Sequence, residues 1–275
     1  MPQNRPLQPP KRLAAAAAAL VLSACGVLGA NALARFPQAS AHRARAKTTA
    51  ARKEVAMPFR VGERLEYQIS WASFATAATV ELTVPERRNL YAWSTWHFRA
   101  SAHTVNPVRR LFSIDDEFDS YTDATTLDTR QYEMYLNEMG RKVDQVWRFV
   151  PEGQSPRAPG PAVIVMPGTR DPLGTLYSLR SVDWQRTTQI SAPVDDGNQL
   201  YQMRAIREAA GESVEVPAGK FSTTRIGVHV YQHNTEVSGI SFAVWIAGDR
   251  ARTPVVMRAD LPFGTLRLEL TSAPQ

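Results

Sequence analysis

Three groups of residues in this 275-residue chain have the types and spacing to do chemistry. Asp115, Glu117 and Asp119 fall two residues apart. Side chains alternate along a strand, so this spacing puts the three carboxylates on one face, where they can bind a hard cation such as Ca²⁺ or serve acid–base catalysis. A solvated face balanced by Arg109 and Arg110 accounts for the same pattern. His229 and His233 also share a strand face, but at strand rise their imidazoles stand about 13 Å apart. That is too far to share one zinc without a bend, and no metal site is predicted. The third group is Trp71, Trp93, Trp96, Trp147 and Trp245. On strands these indoles can line a cavity for an acyl chain or sugar, with core packing as the competing explanation.

Other catalytic signatures are missing. The chain has no G-x-S-x-G, no H-E-x-x-H and no Walker A loop, and its single cysteine rules out C-x-x-C. No cofactor is implied.

The chain is basic overall, with a pI near 9.7. That basicity is unevenly placed: residues 1–54 hold nine Lys/Arg and one acid, whereas residues 55–275 hold 23 Lys/Arg and 25 Asp/Glu. A nucleic-acid-binding domain needs its cations on the folded surface. The remainder is slightly acidic, and nucleic acid is excluded as a partner.

The basic excess flanks an export signal over residues 1–34, in which Lys11-Arg12 precede an apolar run from Leu13 to Ala34. Within it, Leu22-Ser23-Ala24-Cys25 resembles the bacterial lipobox, whose cysteine is acylated and becomes the mature N-terminus. Gly26, which follows, is not an acid of the kind that retains lipoproteins in the inner membrane. Two alternatives stand beside lipidation at Cys25. Ala32-Leu33-Ala34 fits an A-x-A cleavage site that releases a soluble protein, and the apolar run is long enough to span a bilayer uncleaved. Residues 35–56 read as a disordered basic tether, able to approach an anionic surface. A lone cysteine allows no internal disulfide, so the exported part must rely on its core.

Residues 57–275 carry the elements that must position any site, and they read as a single β domain. Leu65, Tyr67, Ile69 and Trp71 alternate with polar residues, the signature of a strand with one buried face. The run Val80 to Val84 answers it as a hairpin partner closed by Pro85. Further strands are predicted at 91–102, 112–121, 129–138, 141–150, 162–166, 188–194, 199–206, 213–216, 221–232, 239–247, 254–259 and 265–270. Turn residues separate them at short spacing, which indicates antiparallel pairing. One helix interrupts the strands: Asp171-Pro172 is a cap-and-first-turn pair, and Leu173, Leu176, Tyr177 and Arg180 follow helical spacing. The predicted fold is all-β, an antiparallel curved sheet forming a sandwich or partly open barrel, with the short helix over an edge or an open end.

Four pieces of the chain resemble, in order, a bacterial envelope family known as domain of unknown function 3108. They are PFRVGERLEYQISW at 58–71, DPLGTLYSLR at 171–180, VPAGKF at 216–221 and TPVVMRADLPFGTLRLEL at 253–270. The resemblance implies an exported, largely β domain and brings no activity or catalytic residues. The functional expectation is therefore a non-enzymatic envelope lipoprotein on the periplasmic side, attached to a membrane through its N-terminal lipid or anchor. It would bind a lipid-like, apolar or amphipathic ligand, or an envelope partner, in the concavity of the sheet. A hydrolase using the carboxylates at Asp115 to Asp119, and a scaffold without a small ligand, are the alternatives.

Overall fold

The computed structural model describes residues 56–156 and 162–272. The export signal, Cys25 and the tether as far as residue 55 lie outside the described residues. Seven strands come first: β1 (Arg64–Trp71), β2 (Phe74–Leu90), β3 (Trp93–Thr104), β4 (Asp115–Asp123), β5 (Thr129–Glu138), β6 (Arg141–Pro151) and β7 (Val163–Val165). Helix α1 (Pro172–Ser181) follows. The chain then adds β8 (Gln189–Asp195), β9 (Leu200–Val216), β10 (Gly219–Gln232), β11 (Thr235–Glu236), β12 (Ser241–Ala247), β13 (Pro254–Leu261) and β14 (Gly264–Leu270).

These strands form one sheet with the order β7-β6-β5-β4-β3-β2-β1-β14-β13-β12-β10-β9-β8, and β11 pairs with β10 outside that path. It is two meanders zipped together by β1 and β14, antiparallel throughout except for β7 on β6. The meander follows from the turns. At the β5–β6 tip, Met139 and Gly140 both have positive φ (50° and 81°). This is the turn geometry whose twist matches that of the flanking strands.

The path begins and ends at edge strands β7 and β8, and the segment before α1 draws the two ends together. Thr129 of β5 donates its N–H to the Thr169 carbonyl at 3.0 Å; on the other side Arg170 N donates to Pro193 O at 3.1 Å and Asp195 N to Arg170 O at 2.9 Å. The result is a curled sheet closed as a partly open barrel. Inward positions such as Leu65, Tyr67 and Ile69 of β1 and Leu266, Leu268 and Leu270 of β14 form its core.

Helix α1 departs from the predicted role of cover. Every residue from Pro172 to Arg180 is buried, so the helix fills the barrel instead of capping it. The predicted apolar stripe exists, but the opposite side is not solvated. Its residues are small enough to lie against the sheet: a Cβ on Gly174 would stand 2.9 Å from Thr122 Cγ2. Tyr177 stacks on Phe98 at 3.7 Å between centroids, and Phe59 meets Trp96, Phe98 and Tyr177 edge-on at 5.1–5.2 Å.

Several boundaries differ from the sequence reading, and three of the differences have a clear local cause. β2 runs through Pro85, where its register with β3 shifts between Thr83 and Glu86. A bulge tolerates a residue without an N–H. Tyr91 and Ala92 are the turn before β3, with φ of 52° and 64°, so Tyr91 is not a strand position. The predicted strands at 199–206 and 213–216 are one strand, β9, which absorbs the irregular stretch between them as register shifts against β10.

Candidate functional site

The upper half of the barrel is sealed around a buried ion pair. Arg180, at the C-terminal end of α1, donates from Nη1 to Glu63 Oε1 at 2.7 Å and from Nη2 to Glu63 Oε2 at 3.0 Å. It also donates to the carbonyls of Ala251 and Arg252 at 3.1 and 3.3 Å. Its guanidinium lies 5.0 Å from the Tyr177 ring centroid and 5.6 Å from that of Phe59. Nearby, Tyr67 donates its phenol to Pro254 O at 2.8 Å, and burial pushes its pKa well above the usual range. At the other end of α1, Asp171 accepts from Gly174 N at 2.9 Å, from Thr129 Oγ1 at 2.5 Å and from Ser120 Oγ. With Glu63, Arg180 and Asp171 all held by protein groups, this end is built for rigidity, not exchange.

The lower half is different. Below α1 the inward-facing Trp71, Met134, Leu136, Trp147, Val194 and Phe242 are only partly buried, although they pack against the core. Strand parity and register place them on the inner face: Trp71 opposes Leu266, Trp147 opposes the buried Tyr132, and Phe242 opposes the buried Ala259. The turns at 72–73, 105–114, 139–140, 195–199 and 262–263 surround this lower mouth. The lower end is thus an apolar bowl that solvent partly reaches, its side chains neither fully buried nor fully exposed.

Acids line its wall. Asp116 faces inward between Ile114 and Phe118, is 1% exposed, and accepts from Asn137 N at 2.9 Å with Oδ1 while Oδ2 has no partner. Burial, then the backbone bond against it and the charge of Glu138 with it, set its pKa at about 7. Glu138 is likewise raised by burial, and its Oε1 lacks a partner. Across the mouth, burial raises Asp195 to about 6 and Asp196 in the same direction.

A pH dependence follows for Asp116. An unfolded aspartate ionises near 3.9, so between about pH 4 and pH 7 the folded chain holds a proton that the unfolded chain has lost. Stability therefore falls as pH rises through that window. Asp116→Asn, which keeps the acceptor for Asn137 N, is expected to be more stable than the parent at pH 8 and to show a flatter profile between pH 4 and 8. Urea midpoints across that range measure it, and an unchanged slope would rule out Asp116 as its source.

The residues singled out from sequence are dispersed. Asp115, Glu117 and Asp119 do share one face of β4, the outer one, and each meets a cation. Asp115 pairs with Arg109 at 2.8 Å and His103 at 2.9 Å, and the Arg109 hydrogen bond holds its pKa at about 2. Glu117 pairs with Arg99 at 3.2 Å. Asp119 accepts from Arg99 Nε at 2.8 Å and meets His97 Nε2 at 2.5 Å; burial opposes its charge, yet these partners leave its pKa lowered. Of the two arginines considered, Arg109 takes part and Arg110 is an exposed turn residue.

The five tryptophans divide three ways. Trp71 and Trp147 stand on the bowl's wall, and Trp96 is in the aromatic core. Trp93 lies on the outer face, and Trp245, at an outward register position of β12, is nonetheless 7% exposed and part of the buried apolar cluster. Trp93 sits under Arg130 at 3.8 Å, beside a cleft of about 30 Å³ with Tyr91, Arg148 and Pro151, room for about one water. Trp245 sits under Arg225 at 5.9 Å. His229 pairs with Glu236 at 2.7 Å and His233 occupies the following turn. Among the described residues no group of three or more His, Cys, Asp or Glu gathers as a metal site, and no helix is long and apolar enough to cross a membrane. Asp116 and Glu138 went unnoticed in the sequence. Their signal was an acid in the inward register of a strand: Asp116 between Ile114 and Phe118, and Glu138 after Met134 and Leu136.

A curled antiparallel sheet around one buried helix makes this a β-barrel-like protein. The chain belongs to DUF3108, a family described as protein of unknown function, whose family model matches residues 66–271. The four resembling pieces converge on the sealed upper half. Glu63 and Tyr67 come from the first, Asp171 and Arg180 from the second, and Pro254 from the fourth. The third supplies Ala218, whose N–H donates to Leu270 O at 3.0 Å.

Solved structures similar to this one are distant. A β-barrel-like protein of domain of unknown function DUF1849 from Brucella abortus has a TM-score of 0.48 and 12% identity, covering 77% of this chain and 96% of its own. A candidate lipoprotein from Parabacteroides distasonis has a TM-score of 0.35 and 11% identity, with coverages of 80% and 97%. A candidate exported protein with YmcC-like fold from Bacteroides fragilis has a TM-score of 0.36 and 9% identity, with coverages of 80% and 98%. No curated protein matches the chain.

Proposed function

We propose that this is an exported cell-envelope lipoprotein, non-enzymatic, whose lower mouth binds an apolar or amphipathic molecule. The observation that carries the reading is the contrast between the two halves of one barrel. Around α1 the inward side chains are buried, and below it Trp71, Met134, Leu136, Trp147 and Phe242 are left partly exposed. A concave apolar wall with a few polar groups is the usual composition of a small-molecule site. Here the polar groups are Asp116 and Glu138, held toward their protonated forms. The export signal and the lipobox at Cys25 support the envelope location and membrane attachment.

Native mass spectrometry of the full chain, extracted gently from membranes, tests the reading. A co-purifying mass that partitions into organic solvent is expected, with occupancy falling about tenfold on Trp147→Ala, since a large aromatic wall contact is removed. A ligand-free mass in every preparation, together with no change in tryptophan fluorescence on adding fatty acids or lysolipids, would overturn it.

A further inference from the structure

We propose that the rim of the lower mouth docks on an anionic lipid surface, through two apolar side chains set among cations. Two turns make this part of the rim. One follows the 3-10 turn Val108–Arg110 and carries Leu111; the other is the β5–β6 tip and carries Met139. They are tied together by Met139 N donating to Ser113 O at 2.7 Å and by the Ile114–Glu138 bridge.

Leu111 is 61% exposed and Met139 66%, more than any other exposed large hydrophobic residue described. Arg110, Arg141 and Lys142 flank them, all exposed. Asp144, exposed two residues after Lys142, offsets part of this charge, and the other acids near the two turns are engaged or withdrawn. Asp115 is taken up by Arg109 and His103. Asp116 is buried behind the turns, where burial raises its pKa to about 7; Glu138 is half-buried opposite Arg141, and burial raises its pKa as well. The rim therefore presents apolar tips on a positive collar.

The shape favours a bilayer over a protein. A specific protein interface needs about 1,000 Å² of complementary surface, whereas two protruding tips on neighbouring turns offer little flat area. A headgroup layer demands no shape match. It rewards apolar insertion and each cation held near an anionic leaflet. The described chain begins at the opposite end, where Phe59 packs on Trp96, so this contact is separate from the N-terminal attachment. It is also independent of the ligand reading, since an empty barrel would dock equally well.

The test uses the full chain carrying Cys25→Ser and Met139→Cys, labelled with bimane at residue 139. It is reconstituted into phosphatidylcholine vesicles with or without phosphatidylglycerol, each containing a nitroxide-labelled lipid. Quenching is expected to be several-fold greater with phosphatidylglycerol. It should weaken with salt and disappear when Arg110→Glu, Arg141→Glu and Lys142→Glu are combined, with an unchanged far-UV spectrum confirming the fold. Leu111→Asp alone should reduce it. Equal quenching in neutral and anionic vesicles, no quenching in either, or quenching that survives the charge reversal would each overturn the proposal. So would a label shielded only when a second envelope protein is added, which would assign the rim to a protein partner.

Discussion

Replacing Arg180 with methionine is expected to cost about 3–5 kcal/mol of stability, because it leaves a carboxylate buried without its partner. Glu63 is 5% exposed and its two oxygens are held by the two Nη atoms of Arg180. Methionine also withdraws the donors that satisfy the carbonyls of Ala251 and Arg252, so the strand connection before β13 keeps its tie to α1 through Arg252 Nη1, which donates to Ser181 O at 2.7 Å, but loses the rest. The pair itself is not expected to be worth that much. Two charges taken from water lose hydration that their attraction only partly returns, and an apolar pair of similar volume can be as stable. Glu63→Leu combined with Arg180→Met should therefore recover most of the loss. Urea unfolding of the parent, both single variants and the double variant completes the cycle. A single-variant cost below about 1 kcal/mol, or a double variant no better than Arg180→Met, would show that the pair is not what closes the upper end.

Asp171→Ala is the second large effect, expected at about 2–4 kcal/mol. The carboxylate caps α1 through Gly174 N, a contribution of about 1 kcal/mol. It is also the acceptor for the hydroxyls of Ser120 and Thr129, which alanine would leave unpaired in the core at about 1–3 kcal/mol. Because Asp171 comes just before α1 and Ser120 and Thr129 sit on β4 and β5, its loss loosens the contact between plug and wall as well as the helix end. Asp171→Asn keeps one acceptor oxygen and should cost less than alanine. The pH behaviour separates the variants further. Burial raises the pKa of Asp171 despite the hydrogen bonds that favour its charge. The folded state therefore keeps its proton above the unfolded value near 3.9. Its contribution to stability declines as pH rises from there through the folded pKa. Neither variant should show that decline. Equal losses for alanine and asparagine would indicate that the cap and hydroxyl bonds contribute little beyond side-chain volume.

Much of this architecture was legible because its signals are local. Period-two alternation in Leu65, Tyr67, Ile69 and Trp71 needs only neighbouring residues to be read, and so does the β5–β6 hairpin around Met139 and Gly140. Asp171-Pro172 announces a helix start through capping chemistry alone, and the structure places the helix at Pro172–Ser181. Boundaries failed where long-range contacts override local preference. Pro85 reads as a strand terminator, but pairing with β3 on both sides of a bulge carries β2 through it.

The candidate site was harder to see, because its members come from strands far apart in the chain. Trp71 and Trp147 were noticed as aromatic strand residues, but nothing in either stretch separates them from Trp96 in the core or Trp93 and Trp245 at outward register positions. Which side of the sheet an indole faces depends on register, and whether that side is open depends on how far α1 reaches into the barrel. The acidic triplet was conspicuous by spacing and proved to be an ion-paired outer face. Asp116, between two of its members, carries the more unusual environment because strand alternation turns it inward.

The sequence by itself determined the class of fold, the antiparallel pairing and the helix at 172–181, since alternation, turn residues and caps act over a few positions. Only the tertiary structure decided that the helix is a plug, that Glu63 and Arg180 meet across 117 residues, and that one end of the barrel is sealed while the other stays open. Those outcomes depend on how the two meanders curl and how much volume one short helix fills, and no local stretch of chain encodes either quantity.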